Sequence, residues 1–249
     1  YRTYYKNGVY DFSDAVKYVK DIVKEYDIAY YNQETPTGDD SIAYSGYPTF
    51  YTPSAYVDAM RAVGFNTVSL ASNHSLDKGE KGILNTVKYF KTTDILYSGM
   101  SDSETDRNNF IIKEKNNITY TMLSYTTITN GLNVPAGKSY LLNKYDKEQV
   151  KKDIEAVRDK VDVLIVAMHW GIEYINMPND EEKEIAEYLS SLGVDIVIGN
   201  HPHILQPITK IGDTIVMYSL GNFISNQYGG SNGDWNKLIG FMATLDITK

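Results

Sequence analysis

The sequence predicts an α/β fold. Apolar residues at helical spacing give way, repeatedly, to a glycine and then to a short apolar run, the order expected of helices alternating with buried strands. Turn pairs between other apolar runs add antiparallel hairpins to that alternation. With 249 residues, 42% of them hydrophobic and 22% charged, the chain can bury a sizeable core as one large domain or two small ones, and residues 1–249 are read as a single domain.

Taken in order, Phe12, Val16, Val19, Ile22, Val23 and Tyr26 recur at helical spacing behind Asp11 and Ser13, which can cap a helix start. A short strand is expected at 28–31. Residues 53–63 read as a second helix closed by Gly64, followed by a buried strand at 66–71. Downstream, a helix near 146–160 feeds the apolar run 161–168, and a helix near 181–192, closed by Gly193, precedes a strand at 196–199. Hairpins are expected where 110–114 and 118–124 flank Asn116-Asn117, and where 204–211 and 214–219 flank Gly212-Asp213. The loops 35–53, 124–140 and 225–236, rich in Gly, Ser, Thr and Asn, are expected to be flexible.

Several function classes are excluded or disfavoured. Lys and Arg number 24 against 32 Asp and Glu, a formal charge of −8, so no nucleic-acid partner is expected. With no cysteine, the chain has no disulfide framework, iron–sulfur cluster or thiol nucleophile, and a metal would be held by His, Asp, Glu or Asn. No Gly-x4-Gly-Lys-Ser/Thr loop occurs. No apolar run approaches the roughly 18 residues that span a bilayer, and a chain that starts at Tyr1 rather than Met reads as part of a longer protein.

The four histidines carry the functional argument. Each follows an apolar run that reads as a strand: His74 after 68–71, His169 after 163–168, and His201 and His203 after 196–199. Ligand sites gather at such strand ends, where side chains converge without entering the core. In Gly199-Asn200-His201-Pro202-His203, a tight loop stiffened by Pro202 lets alternate imidazoles approach adjacent metals, which an extended segment does not. A ligating imidazole needs an acceptor for its other nitrogen, and Asn200, Gln206 and Asn222 are candidates.

Asn73-His74 offers a neutral oxygen ligand beside a ring that can protonate a leaving group, with Asp77 three residues on to orient it. The same residues also suit an Asx-turn at Asn73 and a helix cap at Asp77 ahead of Gly79. Glu34, just beyond the strand at 28–31, is the candidate acidic ligand. Trp170, Gly171 and Glu173 read either as a pocket wall or as a packed strand exit. The tyrosines near the N-terminus and at 44, 47 and 51 read as ordinary half-buried packing.

Together, the segments 32–36, 73–79, 169–174, 199–203 and 219–223 resemble, in order, the bacterial capsule-synthesis protein family of the poly-γ-glutamate CapA type, a branch of the calcineurin-like metallophosphoesterases. The resemblance implies a four-layer α/β/β/α sandwich of two mixed β-sheets flanked by helices, with two divalent metal ions, Mn, Zn or Fe, at the strand ends. It implies Asn73, His169 and His201 on one metal, His203 on the other, Glu34 where relatives place a bridging Asp, and His74 as general acid with Asp77 behind it. Asn32, Glu173 and Asn222 would contact substrate or support the ligands. The sequence departs from the wider superfamily in three ways: the opening Gly-Asp motif has no counterpart in 1–10, Glu34 replaces an aspartate, and Asn200 stands where many relatives carry histidine.

By this resemblance the first strand and a membrane anchor precede Tyr1, the protein works on the outer face of the cell membrane, and membrane contact runs only through that missing segment. Two function classes follow. One is a metal-dependent phosphoesterase acting on a phosphorylated or polymer-linked substrate. The other is a non-catalytic scaffold that binds the anionic capsule polymer and other membrane proteins of capsule assembly. Amide hydrolysis with the same ligands is a third reading, since the spacing does not separate phosphorus from carbon as the electrophile.

Overall fold

Gly64 shows how directly local sequence chemistry sets the architecture. It closes the helix Ala55–Val63 in the left-handed region, at φ +116°, where a Cβ is costly and glycine's freedom is used. The chain then enters a strand, as the helix–glycine–strand order predicts. The computed structural model describes residues 2–227 and 235–248; part of the loop expected at 225–236 lies outside the described residues. The chain divides into two compact units, one of Tyr1–Ile111 with Thr129–Asn143, the other of Ile112–Ile128 with Lys144–Lys249.

The first unit opens with a hairpin of β1 (Tyr5–Lys6) and β2 (Val9–Tyr10), turned by Asn7 and Gly8, both at positive φ. The helix expected over 12–26 forms as two single-turn pieces, α1 (Ser13–Val16) and α2 (Lys20–Val23). Neither start has a side-chain cap, and β-branched Val16, Val19, Ile22 and Val23 crowd the turns between them, so burial of Val16 and Val23 outweighs continuity. Then follow β3 (Tyr30–Asn32), β4 (Thr37–Gly38), β5 (Thr52–Pro53), α3 (Ala55–Val63), β6 (Thr67–Ser69), α4 (Gly79–Phe90), β7 (Leu96–Ser98) and α5 (Glu104–Arg107).

Strand β6 pairs in parallel with β3 on one side and β7 on the other, with Asn32 opposite Ser69 and Ser69 opposite Ser98. Helices α3 and α4 contribute Val57, Met60, Ile83, Val87 and Phe90 to the core of this unit, each fully buried. Tyr51 is buried and stacked on Tyr44, while Tyr47 is exposed.

The second unit holds a six-stranded mixed sheet in the order β12-β13-β11-β10-β9-β8. Its members are β8 (Lys113–Lys115), β9 (Ile118–Thr126), β10 (Val163–His169), β11 (Ile196–Asn200), β12 (Ile208–Ile211) and β13 (Thr214–Met217). The four central strands are parallel and only the edges β8 and β12 are antiparallel. Both edges are hairpin arms. Asn116 and Asn117 turn the first, with both residues at positive φ, as the paired primed turn requires. Every residue of β10 is buried, the signature of a strand covered on both faces.

Helix α6 (Lys147–Val157) connects β9 to β10, and α7 (Asp180–Ser191) connects β10 to β11. Asp146 caps α6 by accepting the N–H of Gln149, and Asn179 forms a reciprocal capping box with Glu182 on α7. Among the described residues no helix is long and apolar enough to cross a membrane.

Candidate functional site

In the second unit the site residues are set by strand register. His169 ends β10 and lies opposite Asn200, the last residue of the parallel neighbour β11. His201 follows at the same sheet end. The loop then bends sharply, with His201 at φ +102° and His203 at φ +61° on either side of Pro202, each a left-handed conformation that costs a non-glycine residue about 1 kcal/mol or more. That bend brings the rings together: His169 and His201 centroids stand 4.9 Å apart, and those of His201 and His203 6.1 Å.

The space beneath this loop has no slack. A Cβ at Gly199 would lie 1.9 Å from the Tyr218 carbonyl oxygen and 2.5 Å from Trp170 Nε1, and Trp170 donates to that same carbonyl at 3.1 Å. Burial raises the Tyr218 phenol and, on α7, the Glu182 carboxyl above their ordinary ranges.

His203 Nδ1 lies 2.9 Å from Asn222 Oδ1, and Asn222 Nδ2 donates to the Lys237 carbonyl at 2.9 Å. The second bond orients the amide, so its oxygen faces the imidazole and His203 Nδ1 is the donor. A ring so fixed keeps Nε2 as its lone-pair nitrogen, the form a ligating histidine takes. Of the three expected imidazole partners, Asn222 makes this bond. The Gln206 amide donates instead to the Ile175 carbonyl, and the Asn200 amide to the carbonyls of Met168 and Ile198. Glu173 is exposed on the turn after β10.

In the first unit, Asn32 at the end of β3 accepts a hydrogen bond from Ser69 Oγ at 2.7 Å. Glu34 stands two residues further on, its carbonyl accepting from Ser72 Oγ. Asn73 is 1% exposed and its amide reaches Asn130 Oδ1 at 3.3 Å. His74 Nδ1 meets Asp77 Oδ2 at 2.8 Å, while Asp77 also accepts the Phe50 N–H at 2.7 Å and the Phe50 ring meets the imidazole edge-on. The cap reading of Asp77 is set aside by this geometry, since the residue before α4 is Lys78 and the helix start has no side-chain cap.

Asn130, Phe50, Tyr174 and Lys237 are the neighbours that sequence reasoning did not assign. The turn signal of Asn130-Gly131, both at positive φ, is the one local mark among them.

The donor chemistry fits a divalent transition metal. His169 and His201 are buried, at 1% and 8% exposure, and their ligand nitrogens lie within 4.8 Å of each other. Neutral imidazole is the commonest metal ligand in proteins, and buried imidazoles converging at a strand end are its usual setting.

Known structures share the fold. The fold is metallophosphoesterase-like: a putative 5′-nucleotidase from Staphylococcus aureus matches with TM-score 0.57 at 17% identity, over 88% of this chain and 45% of that one. The NAD nucleotidase of Haemophilus influenzae matches with TM-score 0.52 at 15% identity, over 88% and 46%. Within that class, the family model of the bacterial capsule synthesis protein PGA_cap matches residues 1–227, and the chain belongs to that family.

Two relatives named for capsule work agree with this assignment. The capsule biosynthesis protein CapA of Bacillus anthracis is 31% identical over 175 residues, covering 69% of this chain and 43% of the relative. The PGA biosynthesis protein CapA of Bacillus subtilis is 31% identical over 179 residues, covering 69% and 45%. The chain thus spans less than half the length of these curated relatives.

Proposed function

We propose that this chain is the metal-dependent, phosphoesterase-type domain of a capsule-synthesis protein, acting on a phosphoester or polymer-linked substrate at the outer face of the cell membrane. The observation that carries the reading is the His169–His201 pair, two buried imidazoles whose ligand nitrogens lie within 4.8 Å at the end of parallel strands. Membership of the capsule-synthesis family and the nucleotidase-like fold support it. On this reading the substrate is phosphorylated or linked to poly-γ-glutamate, and the partners are the anionic capsule polymer and other membrane proteins of capsule assembly.

In this proposal His169, His201 and His203 are the second unit's ligands for divalent metal, and Glu34 and Asn73 are the first unit's. Such ions, when bound, supply Lewis acidity to a phosphoryl oxygen and acidify water. The chain's own residues do the rest. His74, as an imidazolium whose Nδ1–H is held by Asp77, donates its Nε2 proton to the leaving oxygen, and Asn222 holds the His203 ring in its Nδ1–H tautomer. Asn32 and Glu173 contact substrate or support the ligands.

The test is elemental analysis of the purified protein, as isolated and after reconstitution with manganese or zinc, followed by assays on a generic phosphomonoester and phosphodiester. Bound transition metal with hydrolysis, both lost in His169→Ala, is the expected result. A protein that takes up no metal under either condition overturns the enzyme reading and favours a scaffold that binds capsule polymer.

A further inference from the structure

Lys237 is joined to His203 by two independent routes. Its ammonium sits 3.7 Å from the centre of the Tyr174 ring, and that ring is stacked on His203, with centroids 5.8 Å apart and planes 25° from parallel. Its backbone carbonyl receives the Asn222 amide, whose oxygen is bonded to His203 Nδ1. The residues come from separate stretches of chain: the turn after β10, the loop after β11, the loop after β13 and the 3-10 turn Trp235–Leu238.

Tyr174 is held in place at a cost. Its backbone lies at φ +66°, a conformation worth about 1 kcal/mol or more against any residue but glycine, and its N–H is pinned to the Pro202 carbonyl at 2.8 Å. A half-buried lysine seated this closely over an aromatic face is well inside the roughly 6 Å at which cation–π attraction acts. The arrangement fixes a charge that lysine otherwise leaves free to wander.

The placement of that charge is informative. The chain carries a net −8, so a cation fixed one aromatic ring away from the histidine loop is not a general property of its surface. An ammonium fixed one aromatic ring away from an imidazole suited to a cation repels that cation, and an anion held between them offsets the repulsion. We propose, building on the phosphoesterase reading, that Lys237 is the substrate-binding cation of this site, taking a terminal oxyanion of the substrate, and that Tyr174 is its positioning residue. A phosphoryl oxygen and a carboxylate oxygen share this chemistry, and lysine serves either as a point charge.

The experiment is calorimetric titration of the whole chain with inorganic phosphate and, separately, with glutarate, after chelator treatment and again after manganese loading. Lys237→Met keeps an aliphatic stem on the Tyr174 ring and removes the charge; Lys237→Arg keeps the charge. Phosphate affinity falls about tenfold in Lys237→Met and stays within about twofold in Lys237→Arg, with melting temperature and metal content unchanged in both. Tyr174→Phe behaves as the parent, and Tyr174→Leu loses about threefold in affinity. In the active protein Lys237→Met raises KM for a phosphomonoester by a similar factor and leaves kcat within about twofold.

Weakened glutarate binding in Lys237→Met, alongside that of phosphate, names a carboxylate polymer as a source of the anion, and a change for phosphate alone names a phosphorylated one. Anion affinities in Lys237→Met equal to the parent's, or a parent that binds neither anion, overturn the assignment of Lys237. A parent that binds phosphate through Lys237 yet takes up no metal and hydrolyses nothing leaves this assignment standing and overturns the phosphoesterase reading.

Discussion

The Oδ2 atom of Asp77 receives two groups at once, Nδ1 of His74 at 2.8 Å and the backbone N–H of Phe50 at 2.7 Å. With the Asp77 side chain 2% exposed and that of His74 14% exposed, a buried carboxylate and an imidazole partner form a pair tied to a loop 27 residues away in sequence. An acceptor-only carboxylate fixes the Nδ1–H tautomer and the ring's direction.

Replacing that carboxylate by an amide therefore acts on His74 more than on the fold. Asp77→Asn keeps an oxygen for the Phe50 N–H, and under the proposed general-acid role of His74 kcat for a phosphoester falls about tenfold to a hundredfold with KM little changed, since a general acid contributes about 10² to 10⁴. The double variant with His74→Ala is no slower than His74→Ala alone, because both changes act through one ring. Steady-state kinetics of the three variants checks this.

Asn222 supports His203 in the same manner from 19 residues away. Asn222→Ala removes the acceptor that fixes the ring's tautomer. Under the proposed metal role of His203, metal affinity drops about tenfold to a hundredfold, the usual effect of losing such a support, while far-ultraviolet circular dichroism stays that of the parent. Competitive titration against a chromophoric chelator measures the change.

Gly199 is required for space rather than for backbone freedom. A methyl there meets the Tyr218 carbonyl and the Trp170 indole nitrogen at distances no real contact allows. Gly199→Ala loses about 2–3 kcal/mol of stability by overpacking, seen as a lower denaturant midpoint. The retained protein shows weaker metal binding, since His201 rides on the displaced loop.

Glu182 gives stability a defined pH dependence. Its Oε2 accepts the Asn179 N–H, it is 1% exposed, and burial holds its carboxyl above the ordinary range. The folded state thus binds this proton more tightly than the unfolded one. Its contribution is full below the ordinary carboxylate pKa and is lost as pH rises through the raised folded value. Glu182→Gln, whose amide oxygen still accepts from Asn179, gains stability relative to the parent as pH climbs from about 4 to about 7. Thermal melts across that range give the slope.

Much of the fold is legible in the chain because its signals are local. Gly64 and Gly193 close helices, Asn116-Asn117 turns a hairpin, and 163–168 is a buried strand by its unbroken apolar run. The short pieces are harder to read. Strand β7 has three residues and α5 four, too few for a period to show, and the 12–26 stretch keeps its helical spacing while breaking into two turns.

What the sequence by itself determined is the helix-and-strand order, the metal-suited residue types and their position at strand ends, since these follow from periodicity and from the chemistry of single side chains. Which groups those residues face was decided by tertiary structure alone. A spacing of three lets Asp77 cap a helix or hold His74, and only the Phe50 loop packed against it selects the second. Asn222, Tyr174 and Lys237 join His203 because parallel register and a left-handed loop bring distant segments to one sheet end. Contacts so far apart along the chain leave no mark in any window of sequence, because burial and hydrogen-bond satisfaction are settled only when the segments meet.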